Sequence, residues 1–196
     1  MRKTLLIILL LCGAFNTYAY DFSAVCSTGQ TLYYIITSDS TISVTYPDYS
    51  YNDFYYGHSR PTGNLLIPDS VIFEGTPYRV TSIGANAFYY CSSIDTLIIG
   101  NKVTSIEHQA FSNCSGIHCL YIGSCVTSIG YQAFSGCSGI HRLVIPNSVT
   151  SISAYAFKGC YIDSLYIGSG VTTIGSEAFW GCSGLKYMYF NARNTT

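Results

Sequence analysis

The chain has 196 residues, with nine Lys and Arg against ten Asp and Glu, and only 10% of its residues are charged. Nucleic acids and anionic membranes attract clustered basic residues, and this sequence has too few to cluster, so neither is expected as a partner. Aromatic residues reach 15%, including 19 Tyr, so the surface has to be built largely from Tyr, Ser, Thr, Asn and Gly, in the manner of adhesive rather than catalytic surfaces.

At the N-terminus, Arg2 and Lys3 precede the apolar run Leu5 to Leu11, and Thr17-Tyr18-Ala19 supplies small residues before a cleavage point. Residues 1–19 therefore read as a secretory signal peptide. The apolar run is too short to cross a bilayer, so no membrane insertion is expected once it is removed. Cleavage takes away Arg2 and Lys3 and no acid, leaving seven basic and ten acidic side chains and a net charge of −3. The expected location is secreted or cell-surface, where disulfides can form.

Residues 20–68 read as an N-terminal β cap and loop. Leu32-Tyr33-Tyr34-Ile35-Ile36 and Thr41-Ile42-Ser43-Val44-Thr45-Tyr46 are β-rich runs separated by Thr37-Ser38-Asp39-Ser40, which predicts a hairpin that caps the C-terminal part of the chain. Tyr46 to Asn64 is rich in Tyr, Ser, Asp, Gly and Pro and reads as a surface loop. Leu66 to Val71 echoes Leu143 to Val149 and marks a degenerate repeat. Residues 69–79 form its lead-in, with Glu74-Gly75-Thr76-Pro77 predicting a tight turn in a small hairpin.

From residue 80 to the end a unit of about 23 residues recurs almost five times, a period that means a solenoid. Its registers open at Val80, Val103, Val126, Val149 and Val171 with Val-Thr-Ser-Ile or Val-Thr-Thr-Ile. An Ala-Phe pair comes next, then Cys91, Cys114, Cys137, Cys160 or Cys182, then Ile-x-x-Leu-x-Ile or a close variant. Leu-x-Ile alternation predicts a short strand with both apolar residues inward. Ile106, Ala110, Phe111 and Cys114, at intervals of four, five and eight, predict about two turns of helix. The expected fold is thus an α/β leucine-rich-repeat solenoid of about five repeats, short strands plus short helices, with an N-terminal β-hairpin cap. The five cysteines of the column lie on the buried stripe and read as a reduced structural ladder. Cys26, Cys119 and Cys125 fall outside it. Nothing after Phe190 offers a C-terminal cap, so the fifth repeat is expected to expose its end and favour self-association.

The motif Val-Thr-Ser-Ile-Gly-x-x-Ala-Phe-x-x-Cys-Ser-x-Ile, at Val80 to Ile94 and Val126 to Ile140, resembles the BspA-like class of leucine-rich repeats. That resemblance implies an adhesin-like or otherwise host-interacting surface protein, and it carries no catalytic residues. Repeat four departs from it at Ser153, where most repeats have Gly, and at Tyr161.

Stacked repeats bring equivalent positions side by side. One outward column reads Ile98, Tyr121, Val144, Tyr166, Tyr189, and its neighbour reads Thr96, Cys119, Arg142, Ser164, Tyr187. Tyr and aliphatic side chains offer large contact area at low entropic cost, so Ile98, Cys119, Tyr121, Arg142, Val144, Tyr166, Tyr187 and Tyr189 are the candidate binding residues. A further column carries Asp95, His118, His141 and Asp163. Imidazole and carboxylate are ordinary ligands of divalent metals, but the simpler reading is an exposed turn column with no metal. Phosphate loops, His-Glu-x-x-His and Gly-x-Ser-x-Gly elbows are missing, so neither a catalytic residue nor a cofactor is expected. The function expected from sequence is non-enzymatic binding of a host or bacterial surface protein or glycan through the strand face. The alternative is a structural or assembly module, or a fragment of a larger surface protein, with no ligand of its own.

Overall fold

The structure is a computed structural model that describes residues 19–48 and 53–191. Most of the expected signal peptide, the middle of the Tyr46 to Asn64 segment and residues 192–196 lie outside the described residues. The first strands are β1 (Phe22–Val25), β2 (Thr31–Ser38) and β3 (Thr41–Thr45), paired antiparallel in that order. β2 and β3 form the predicted hairpin. β1 has no counterpart among the predicted elements, because four residues of Phe-Ser-Ala-Val carry too little alternation to register.

β4 (Gly63–Ile67) is followed by β5 (Ser70–Phe73) and β6 (Thr76–Ile83), which form an antiparallel hairpin around Glu74 and Gly75. Both turn residues have positive φ, 49° and 78°. β3 pairs parallel with β6, so the last strand of the cap occupies the place a preceding repeat would fill.

Each later repeat contributes two strands. The Leu-x-Ile runs become β7 (Ile94–Ile99), β9 (Cys119–Tyr121), β11 (Arg142–Ile145), β13 (Ser164–Ile167) and β15 (Tyr187–Phe190). The Ser-Ile or Thr-Ile pairs become β8 (Ser105–Ile106), β10 (Ser128–Ile129), β12 (Ser151–Ile152) and β14 (Thr173–Ile174). One sheet runs β1-β2-β3-β6-β8-β10-β12-β14, with β5 on the side of β6. The opposite wall is two separate sheets, β4-β7-β9 and β11-β13-β15. Between the walls Leu97, Ile117, Ile129, Leu143 and Ile152 are fully buried or nearly so.

The short helices expected between Val-Thr-Ser-Ile and the cysteine do not form among the described residues; each is a run of tight turns. In repeat one, Ala87, Tyr89 and Cys91 donate to the carbonyls of Gly84, Asn86 and Phe88, three residues back. The alternate N–H groups, of Asn86, Phe88 and Tyr90, donate across to His108, Ala110 and Ser112 of repeat two. A helix would spend every N–H on its own chain four residues back, whereas here half of them bind the next repeat. The cost is a left-handed residue at Asn86, Gln109, Gln132, Tyr155 and Glu177, with φ between 52° and 59°, a region most side chains avoid. A helix of two turns is too short to hold its own shape, so the cross-repeat bonds decide the backbone.

These thinner segments change the packing distance. The rings of Phe88, Phe111, Phe134, Phe157 and Phe179 stack in one column with centroids 4.9 to 5.4 Å apart, well inside the 8 to 10 Å of packed helices. The described cysteines are free. Cys114, Cys137, Cys160 and Cys182 each direct the thiol to the carbonyl of the ladder Phe one repeat earlier, Sγ to O 3.0 to 3.3 Å.

The expected surface loop is corrected as well. Tyr55, in the segment read as Tyr46 to Asn64, is 2% exposed, and its hydroxyl donates to the Ala87 carbonyl at 2.8 Å. Phe54 packs edge-on against Tyr46 and Tyr89, Arg60 pairs with Asp53, and Gly63 and Asn64 already belong to β4. Phe54 and Tyr55 thereby close the turn edge of repeat one.

Candidate functional site

The outward residues of β7, β9, β11, β13 and β15 form the strand face, because inward Leu and Ile fix every other position to the core. The register pairs Ile98 with Tyr121, Val144 with Tyr166, and Tyr166 with Tyr189. Thr96 pairs with Cys119, Arg142 with Ser164, and Ser164 with Tyr187. Ile98, Cys119, Tyr121, Arg142, Val144, Tyr187 and Tyr189 are exposed, and Tyr166 is half-buried. Tyr166 is covered because Tyr189 stacks on it at 4.6 Å and the Arg142 guanidinium lies 4.9 Å over its ring.

The face is not continuous. No strand pairing joins β9 to β11 among the described residues, although the turn edge and the β8–β10 strands still bind repeat two to repeat three. Pro146 stands at this break. Gly168 and Asn191, at the same place in repeats four and five, donate their N–H to Ile145 and Ile167, whereas proline has no N–H to give Ile122. The wall opens there into a cleft of about 460 Å³, edged by His118, Cys119 and Tyr121 on one side and Arg142, Val144 and Pro146 on the other. Leu120 on its floor is 8% exposed, where Leu97 and Leu143 are fully buried.

Four of the eight sequence-derived binding residues, Cys119, Tyr121, Arg142 and Val144, thus line one cleft. Val144, Tyr166 and Tyr189 border a second and shallower one. Ile98 lies one strand away beside Tyr121, and Tyr187 lies beyond Ser164, outside both clefts. Pro146 and the exposed edge of Leu120 belong to the site without having been singled out by the sequence. The signal for them was present, since repeat three has Ile-Pro-Asn where repeats one, two and four have Ile-Gly.

The interruption also divides the histidine column. His118 Nδ1 lies 3.0 Å from Asp95 Oδ1, and His141 Nδ1 lies 4.0 Å from Asp163 Oδ2. Each imidazole keeps to its own carboxylate on its own side of the cleft. Among the described residues no three His, Cys, Asp or Glu side chains come together in a group able to hold a metal; the four residues stand as two separate pairs, with Asp163 half-buried.

Burial pushes the ladder thiols up: Cys91 to about 12 and Cys182 to about 11, with Cys114, Cys137 and Cys160 also raised well above the ordinary thiol value. Thiols held neutral in this way are poor nucleophiles, which separates the structural column from Cys119 and Cys125, both exposed.

A repeat profile described as a BspA type leucine-rich repeat region matches residues 70–186 in six copies. Among solved structures the chain is similar to a leucine-rich repeat protein from Bacteroides ovatus, 33% identical with a TM-score of 0.69, covering 81% of this chain and 39% of that one. It is similar in fold to the leucine-rich repeat protein of T. pallidum, 23% identical with a TM-score of 0.68, over 80% of this chain and 67% of that one. A leucine-rich repeat protein from Bacteroides capillosus is 21% identical with a TM-score of 0.55, over 82% of this chain and 94% of that one. The chain therefore spans well under half the length of the Bacteroides ovatus protein. No curated protein matched it.

Proposed function

Because the chain belongs to the BspA-type leucine-rich repeat family, we propose that it is a non-enzymatic recognition protein that holds its partner against the strand face, centred on the cleft between repeats two and three. The partner is a protein or glycan on a host or bacterial surface, and the protein works secreted or at the cell surface, a location that rests on the sequence of residues 1–19. The observation that carries this reading is the opened wall between β9 and β11. It falls among side chains singled out for recognition, and it adds an apolar floor, a guanidinium and an exposed phenol to an otherwise regular sheet. Tyrosine and arginine at a concave site are the residue types on which binding energy concentrates.

The test is adhesion of protein-coated beads to host and bacterial cells. Tyr121→Ala/Tyr166→Ala is expected to lower binding by at least about tenfold while leaving the melting temperature close to that of the parent, since Tyr121 is exposed and Tyr166 lies outside the core. Unchanged adhesion would move the partner off the strand face.

A further inference from the structure

We infer that the turn edge of the solenoid carries a second binding site, an oblique row of aromatic rings that takes a linear, uncharged glycan. The row crosses repeats two to five. The His108 ring stacks on Tyr131 at 5.3 Å, and Tyr131 meets Tyr155 edge-on at 5.7 Å. Lys158 Nζ lies 5.2 Å from the Tyr155 ring centre and 4.8 Å from that of Trp180, bridging the two. Tyr131 and Trp180 are 42% and 58% exposed.

The fold does not require rings here. The positions equivalent to His108 and Tyr131 are Ala85, Ala154 and Ser176 in the other repeats, and Tyr89, Ser112 and Ser135 stand where Lys158 and Trp180 do. Small or hydroxylated residues satisfy the same turns, and the backbone bonds across the edge are the same in all of them. The aromatic residues are therefore additions, and together with Lys158 they make one row of side chains in contact.

The chemistry of the row selects its ligand. The electron-rich face of an aromatic ring attracts the C–H groups on the flat face of a pyranose. Beside the rings, Gln109 Nε2 donates to Gln132 Oε1 at 2.7 Å, and the hydrogens and lone pairs left on those amides suit hydroxyl groups, which both give and accept. Glu107 and Glu177 flank the row, and Lys158 is the one Lys or Arg in it, so it has no strong positive field with which to hold a sulfated or carboxylated chain. Adjacent strands of a sheet are about 4.8 Å apart, so the row advances by about one sugar ring per repeat. None of this rests on the strand-face reading, and either can fail without the other.

Trp180 is the single tryptophan of the chain, so its fluorescence reports on this edge alone. The test titrates the protein with cellohexaose, mannohexaose and N-acetylchitohexaose, and with a heparin hexasaccharide as the charged control. A saturable change in Trp180 emission is expected with at least one neutral oligosaccharide. Binding should weaken about tenfold, the scale of one lost ring contact, in Tyr131→Ser, whose substituted position is remote from the reporter and whose new side chain matches Ser176. Tyr121→Ala/Tyr166→Ala on the strand face should bind as the parent does. A change only with heparin, no saturable change with any probe, or a response untouched by Tyr131→Ser would each overturn the proposal.

Discussion

Tyr55 replaces, with one hydroxyl, a bond that every later repeat receives from its predecessor. Ala110, Ala133 and Ala156 accept the N–H of Phe88, Phe111 and Phe134, and Ala87 accepts the Tyr55 phenol instead. Cys91 likewise has no earlier Phe carbonyl to reach, and the Tyr55 hydroxyl stands beside its thiol. Tyr55→Phe keeps the ring and leaves a buried carbonyl without its donor, which costs about 1 to 3 kcal/mol. Urea unfolding should show that loss as a lower midpoint with an unchanged slope. A midpoint equal to that of the parent would mean that the bond contributes nothing.

At the scale of the element, strand pairing and turn pairing are separate bonds between the same two repeats, and only one of them is cut between repeats two and three. Restoring the missing donor tests the cause. In Pro146→Ala the residue regains an N–H opposite Ile122 and keeps a Cβ where proline already had one. Its amide should exchange with solvent as slowly as that of Gly168, which donates to Ile145 at 3.0 Å, and the cleft should narrow. Fast exchange at residue 146 would assign the opening to the short β9 strand instead. The same separation explains the turn edge: N–H groups shared with the next repeat, not an internal ladder, set its backbone, so left-handed Gln and Tyr residues are held in place by their neighbours.

The whole molecule is a stack in which each repeat buries what the one before it left open, and this governs its response to pH. Cys91 and Cys182 carry folded values of about 12 and about 11 against an ordinary thiol value of 9.0, and Tyr55 is raised by burial in the same direction. A group whose folded value is raised holds its proton more tightly when folded. The stability it contributes is therefore fully present below its unfolded value and is lost as pH rises through the folded one. The melting temperature should stay level as pH approaches 9 and fall between about 9 and 12, over the thiol interval. A melting temperature that holds to pH 12 would contradict the buried, neutral column. At the far end of the stack Ile174, Leu185, Met188 and Phe190 are exposed, although their counterparts Ile152, Ile162, Leu165 and Ile167 are buried; the difference lies in the neighbour, not in the residue.

The sequence by itself determined the repeat, its register, the inward Ile, Leu, Ala, Phe and Cys, and the membership of the outward columns, because a fixed period forces equivalent residues into equivalent environments. Spacings of four, five and eight suit a helix and a chain of tight turns equally, so periodicity did not separate them at Ile106 to Cys114. That choice was made by hydrogen bonds to the next repeat, which no single unit contains. Tyr55 read as loop because its local composition is polar, and only the empty carbonyl of Ala87 gives it a partner. The opening beside Pro146 and the ring row from His108 to Trp180 were likewise decided by tertiary structure, since each depends on what lies one repeat away in space and about 23 residues away in the chain.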